Sequence, residues 1–210
     1  MIANRKIARA FRARAVRIVG DRSGIAAVEF ALLLPGLLTL FLGSYELSSL
    51  LLAYLKLESA AESAADLVGQ TAVNTVLSSS DLTNITNAVT QIMVPFSTSG
   101  TSLKVAYASV TYSTGSAVIN WHSEVNGAAQ ITAASLPHGA ASGTLGNATN
   151  GSFDSVIVAQ LTYSYSSPVS YVLNTNYTLS EAAFVRPRYV TCVPTYLNTN
   201  TDGQGHKICP

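Results

Sequence analysis

From Ile25 to Tyr45 the chain reads IAAVEFALLLPGLLTLFLGSY, twenty-one residues whose one charge is Glu29. As an α-helix this stretch rises about 30 Å, the thickness of the hydrocarbon core of a bilayer. A soluble protein could house such a helix only by covering it on every side, which asks for a larger core than 210 residues supply. The apolar region of an ordinary secretory signal runs to about 7–15 residues, and no A-x-A-type site follows this longer one. Pro35 removes one intrahelical hydrogen bond, a defect that membrane helices tolerate better than soluble ones. The stretch is therefore expected to be a transmembrane helix.

The charge distribution gives that helix a direction. Met1–Gly24 contains seven basic residues (Arg5, Lys6, Arg9, Arg12, Arg14, Arg17 and Arg22) and one acid, Asp21. The remainder carries five basic residues against ten acidic ones, so the formal charge of +1 hides a basic leader and an acidic body. A basic cluster directly before the span leaves the N-terminus in the cytoplasm by the positive-inside rule and residues 46–210 outside. The positive charge belongs to the leader and is no sign of nucleic-acid binding by the rest. An Arg-rich, acid-poor start also suits an organellar transit peptide, but Ser is scarce in it. Only 11% of the chain is charged. Beyond residue 70 it is rich in Ser, Thr, Asn, Tyr and Gly, as many surface proteins are.

Where leader meets helix, the string is Arg22-Ser23-Gly24-Ile25-Ala26-Ala27-Val28-Glu29-Phe30. A carboxylate within a bilayer-embedded helix costs about 2.5–3.5 kcal/mol on insertion scales and marks a functional position by default. Cleavage after Gly24 supplies a counter-ion, because the new ammonium on Ile25 lies one helical turn before Glu29. That ammonium can pair with Glu29 of its own chain or of a neighbour, and in the second case the pair sets axial register between helices. Glycine before the scissile bond suits a protease that needs unhindered approach to the backbone.

This arrangement resembles the cleavage motif of type IV prepilins, in which an aspartyl prepilin peptidase cuts after the glycine and glutamate stands fifth in the mature chain. More narrowly, the chain is similar to the TadE-like family, the minor pseudopilins of tight-adherence (Flp/Tad) pilus systems. The residues that carry the resemblance are Arg22, Gly24, Ala27-Val28-Glu29-Phe30-Ala31-Leu32, Pro35, Gly43 and Glu46. It covers about residues 20–60. Beyond, Tyr163-Ser164-Tyr165 followed by Pro168, and the stretch Phe184–Arg188, are loosely similar. The resemblance implies a subunit matured at Gly24 and Ile25, assembled through Glu29 and Phe30, and partnered by the inner membrane, prepilin peptidase, other pilins and pseudopilins and the pilus assembly machinery. It implies a role in surface attachment. Larger TadG-like relatives can carry a D-x-S-x-S metal motif, which Asp154-Ser155-Val156 does not complete.

Past the span, Leu50, Ala53, Tyr54, Leu57, Ala61, Ala64 and Val68 recur at helical spacing, with Lys56, Ser59, Ser63, Asp66 and Gln70 on another face. This predicts a helix continuing to about Val76. Leu82, Ile85, Val89 and Ile92 predict a shorter second helix before Pro95. Leu103–Tyr112 and Ala117–His122, around Ser-Thr-Gly-Ser, predict a hairpin, and Val156–Tyr165 and Tyr177–Arg188 two further strands. In Val156–Tyr165 one face reads Ile157, Ala159, Leu161, Tyr163, Tyr165. Between Val125 and Phe153 no Asp, Glu, Lys or Arg occurs, and an exposed loop is expected. The expected fold class is α+β: a long N-terminal transmembrane helix running into a small extracytoplasmic domain with an antiparallel sheet, the lollipop of a pilin. The expected divisions are a cleaved cytoplasmic leader at 1–24, the span at 25–45, the helix continuing outside at 46–77 and a head domain at 78–210.

Cys192 and Cys209 are the two cysteines. Outside the cytoplasm a disulfide between them is the default, worth about 3 kcal/mol in the chain-entropy model for a loop of this size. Zinc is the rival use, with His206 nearby, but a fourth ligand at recognisable spacing is missing. His122 and His138 stand in no nucleophile, metal or acid/base signature, and Trp121-His122 is expected to pack. Phosphate-binding Gly-rich loops, G-x-S-x-G and H-E-x-x-H are absent from the sequence. No enzymatic activity, metal or cofactor is expected. The competing reading is an uncleaved single-span anchor that displays a periplasmic binding domain.

Overall fold

The computed structural model describes residues 24–113, 116–136, 155–173 and 175–198. The basic leader before Gly24, the stretch 137–154 and the tail from 199, with His206 and Cys209, lie outside the described residues. The chain divides into two compact units, one through Tyr45 and one from Glu46 onward.

Helix α1 comprises Ile25–Gly69. In the first unit its side chains have little to pack on: Val28, Phe30, Leu32, Leu33, Leu37, Leu40 and Phe41 are all exposed. An 18-residue window here has a mean hydropathy of 2.2 and none of it is buried, so α1 is long and apolar enough to cross a membrane. The hydroxyl of Thr39 donates to the carbonyl of Pro35 at 2.9 Å and that of Ser44 to Leu40 at 2.7 Å, so these polar groups are satisfied along the helix itself.

In the second unit α1 presents a small-residue face. Ala53, Leu57, Ala60, Ala61, Ala64, Ala65 and Val68 are at most 1% exposed. Five alanines on one face let a helix backbone come close to what it covers. Here they share a core with Val105, Tyr107, Ile157, Ala159, Leu161, Tyr163, Tyr165 and Ala183 of the sheet. Tyr54, expected in this stripe, is instead 40% exposed. A hydrogen bond to Glu181 and the charge of that carboxylate push the Tyr54 phenol up from its ordinary value.

Helix α2 (Ser79–Ile92) begins with a capping box. The amide of Asp81 donates to Ser78 Oγ at 3.2 Å and the amide of Ser78 to Asp81 Oδ2 at 2.9 Å. Its apolar positions Leu82, Ile85 and Val89 join the same core, and Lys56 Nζ of α1 donates to the carbonyl of Ile92 at 3.0 Å, placing a cation at the end of α2 where the helix dipole favours one.

Four strands follow: β1 (Leu103–Ser113), β2 (Ser116–Val125), β3 (Ser155–Tyr165) and β4 (Tyr177–Val185). They form one antiparallel sheet in the order β2-β1-β3-β4. This is the α+β architecture expected, with the hairpin turning between Ser113 and Ser116. The β1–β2 register shifts between Ser109 and Val110, leaving Asn120 as the extra residue of a bulge. Asn120 Nδ2 spans the irregularity, donating to Ser109 Oγ at 3.2 Å and to Thr111 Oγ1 at 2.6 Å.

Two expectations need correction. First, α1 stops at Gly69 rather than near Val76. The Arg188 amide takes the carbonyl of Gly69 at 2.9 Å, and Asn74, at φ +60°, turns the chain. That turn brings Leu77 into a parallel bridge with Thr195. A Cβ on Gly69 would stand 3.2 Å from Val185 Cγ1, so this glycine marks a close approach of helix end and strand. Second, the charge-free loop after Val125 is not all exposed. Ile131 is fully buried on the reverse face of the sheet, clustered with Ala106, Ala108, Val110 and Val158 and flanked by Ala128, Leu136 and Phe184. Covering on both faces is why β3 is buried along nearly its whole length.

Leu57 and Leu161, both fully buried in the shared core, are the residues whose truncation tests this packing. Either Leu→Ala change is expected to cost about 2–5 kcal/mol in urea unfolding of the full chain in detergent, whereas truncating exposed Leu47 costs under about 0.5 kcal/mol.

Candidate functional site

Gly24 lies immediately before α1 and Ile25 is its first residue. Glu29 follows four positions on, one turn along the same face. Ile25 and Phe30 are 50% and 58% exposed, and Glu29 is exposed too. No hydrogen-bonding or ionic partner stands against Glu29 among the described residues. Nothing lies within 4 Å of a Cβ built on Gly24, so the fold of this chain does not itself require glycine there. The structure thus gathers Gly24, Ile25, Glu29 and Phe30 on the first turns of an uncovered apolar helix. Such a surface can offer one carboxylate and one aromatic ring to a partner and the preceding backbone to a protease.

A second carboxylate behaves in the opposite way, and sequence reasoning gave it no role. Glu46 opens the second unit and is fully buried. Its Oε1 accepts the amide of Tyr171 at 2.6 Å, and its Oε2 accepts those of Val172 at 2.9 Å and Leu173 at 2.6 Å. Three successive N–H groups converge on one anion, a backbone nest in the loop between β3 and β4. Ser170, at φ +54°, makes the turn that precedes them. The loop is braced by the Ser170 hydroxyl, which donates to the carbonyl of Ser167 at 2.8 Å. Burial pushes the Glu46 carboxyl up. The amides of Leu173, Tyr171 and Val172 and the hydroxyl of Ser167 outweigh it, so the net value lies below the ordinary carboxylate range. The signal was available: like Glu29, Glu46 is an isolated acid, here directly after the apolar run Ile25–Tyr45.

The remaining candidates sit elsewhere. Cys192 is 8% exposed. Asn120 Nδ2 approaches its Sγ at 3.7 Å. Trp121 packs as expected, with Nε1 donating to the carbonyl of Val193 at 2.8 Å. Its neighbour His122 instead faces out, with Nδ1 2.8 Å from Glu124 Oε1 and Nε2 2.8 Å from the Gln130 amide. Among the described residues no group of three His, Cys, Asp or Glu side chains is placed to hold a metal ion.

The Glu46 nest has a pH signature. Since its folded pKa is depressed, its contribution to stability is complete above the ordinary value of 4.5 and is lost as pH falls through the lower folded value. Glu46→Gln is expected to flatten this acid limb. In Glu46→Ala the amides of Tyr171, Val172 and Leu173 lose hydrogen-exchange protection by roughly tenfold or more at neutral pH. Unchanged protection of all three would contradict the nest.

Among curated proteins and among solved structures, none matches the chain. Residues 24–66, from the glycine before α1 almost to the helix end, match the family model described as TadE-like protein, and over that stretch the chain is similar to that family.

Proposed function

We propose that this chain is a minor pseudopilin of a tight-adherence pilus, held in the inner membrane by α1 with its N-terminus in the cytoplasm and its second unit outside. The supporting observation is a coincidence of boundaries. The TadE-like match begins at Gly24, the helix begins at Ile25, and the side chains that follow are apolar and uncovered.

In this reading prepilin peptidase hydrolyses the Gly24–Ile25 peptide bond. Water adds across it, leaving a carboxylate on Gly24 of the released leader and an ammonium on Ile25. An ammonium at a helix N-terminus opposes the helix dipole, whose positive end is already there. A carboxylate one turn away offsets that conflict, and Glu29 supplies it from the same chain or from the next subunit. Between subunits the pair fixes how far one helix slides along another, with Phe30 and the adjoining apolar side chains providing the contact area. The role is structural, without catalysis or cofactor, and its partners are the peptidase, other pilins and pseudopilins and the assembly machinery. A disulfide between Cys192 and Cys209 ties the C-terminal tail to the buried Cys192.

The mature N-terminus, read by mass spectrometry from cells with the cognate peptidase, is expected at Ile25; an intact leader on the working subunit rejects the proposal in favour of an uncleaved anchor. Gly24→Ile is expected to remain full length although it meets no steric obstacle in the fold. Glu29→Ala should insert normally yet lower piliation by roughly tenfold or more. Alkylation of the unreduced, denatured chain should find no free thiol, and two would dismiss the Cys192–Cys209 bond.

A further inference from the structure

The loop held by Glu46 has an unusual surface. From Ser155 to Ser180 the sequence contains no Asp, Glu, Lys or Arg. Within that stretch Val169, Tyr171 and Val172 are 41%, 58% and 50% exposed, so the loop turns apolar side chains outward. Its backbone cannot place them freely, because the amides of Tyr171, Val172 and Leu173 are bound to the Glu46 carboxylate. They are therefore fixed beside the first helical turn after the apolar stretch ending at Tyr45. Leu47 and Leu51, on the same part of α1, are also exposed. The far end of this unit differs in kind. Around the last turns of α1 stand Glu58, Glu62, Asp66 and Glu181, and Arg188 pairs with Asp66. The surface of the second unit is thus graded, with exposed apolar side chains around the buried Glu46 and charged ones around Gly69.

We propose that the β3–β4 loop is a membrane-contact element: Val169, Tyr171 and Val172 seat in the boundary between lipid headgroups and acyl chains, and Glu46 is the clamp that holds them at that depth. The inference rests on the reading of residues 25–45 as a membrane span. Lipid is the occupant favoured by position, because the bilayer surface lies where Tyr45 ends, and by chemistry, because tyrosine rings prefer that interface. Three side chains are too few for a stable protein partner, which needs about 800 Å² on each side. The clamp also explains why the tether is a carboxylate with its acceptors filled, since an unsatisfied acid at this depth is costly.

The test uses the full chain in phosphatidylcholine–phosphatidylglycerol vesicles whose acyl chains are brominated close to the headgroup, bromine quenching indole on contact. Trp121, the one native tryptophan, is 3% exposed and gives the background. Three variants are compared: Tyr171→Trp in the loop, Phe41→Trp in the span, and Tyr189→Trp. The last sits beside Arg188, which caps Gly69, about 35 Å along the helix from Glu46. Tyr171→Trp is expected to lose at least roughly half as much intensity as Phe41→Trp, and Tyr189→Trp none above background. Quenching of Phe41→Trp without Tyr171→Trp overturns the inference and leaves the span standing. A blue-shifted but unquenched Tyr171→Trp does the same, in favour of contact between copies. Failure of both to quench removes the span and the inference together.

Discussion

The carboxylate of Glu46 accepts three consecutive amides, and it does so at the residue where the second unit begins. Around it α1 offers the hydroxyls of Ser44, Tyr45, Ser48 and Ser49, and Glu46 is the one charged group among them. A buried anion is tolerated only when its lone pairs are filled, and a nest of backbone N–H groups fills them without importing a second charge. The loop between β3 and β4 is thereby tied to the helix by directional contacts, whereas the core of the helix–sheet interface is non-directional apolar packing. One acid sets where the loop sits; the alanines set how closely sheet and helix approach.

That division of labour extends through the second unit. Ala53, Ala60, Ala61, Ala64 and Ala65 contribute little side-chain volume, so the larger residues of the sheet, Tyr107, Leu161 and Tyr165 among them, fill the core from the opposite side. At Gly69, where a Cβ would stand 3.2 Å from Val185 Cγ1, the helix side carries no Cβ at all. The C-terminal segment closes the structure from another direction. Leu77 exchanges backbone hydrogen bonds with Pro194 and Tyr196 at 2.9 and 3.1 Å, and Trp121 is held to Val193. Anchored this way, the segment around Cys192 is already ordered before any covalent link to the tail is counted.

Much of this was legible because it is periodic. The apolar run Ile25–Tyr45, the alternation in Val156–Tyr165 and the Leu82, Ile85, Val89 spacing each repeat over enough residues to specify an element. What escaped reading depends on partners distant in sequence. Tyr54 has helical spacing like Leu57, yet Glu181 lies beside it and it stays exposed. Ile131 stands in a stretch without pattern, and only the reverse face of the sheet explains its burial. The stop falls at Gly69, a local helix breaker, and Arg188 and Val185, distant in sequence, pack against it there. Glu46 was visible as an acid beside an apolar run, but its donors are backbone amides more than a hundred residues away, and amides leave no trace in composition.

The two acids of α1 therefore invite comparison. Both interrupt apolar sequence, and the same desolvation argument applies to each. Glu46 answers it within the chain: burial is complete and both oxygens accept backbone amides, three in all. Glu29 does not, for it is exposed and lacks a partner among the described residues. An acid satisfied internally has nothing left to offer another molecule, whereas one left open in an apolar surface is unfavourable until something cationic meets it. If the span lies in lipid, that unmet demand is what a liberated ammonium on Ile25 can satisfy. The proposal that Glu29 serves docking, while Glu46 holds the loop, rests on where each carboxylate finds its hydrogens.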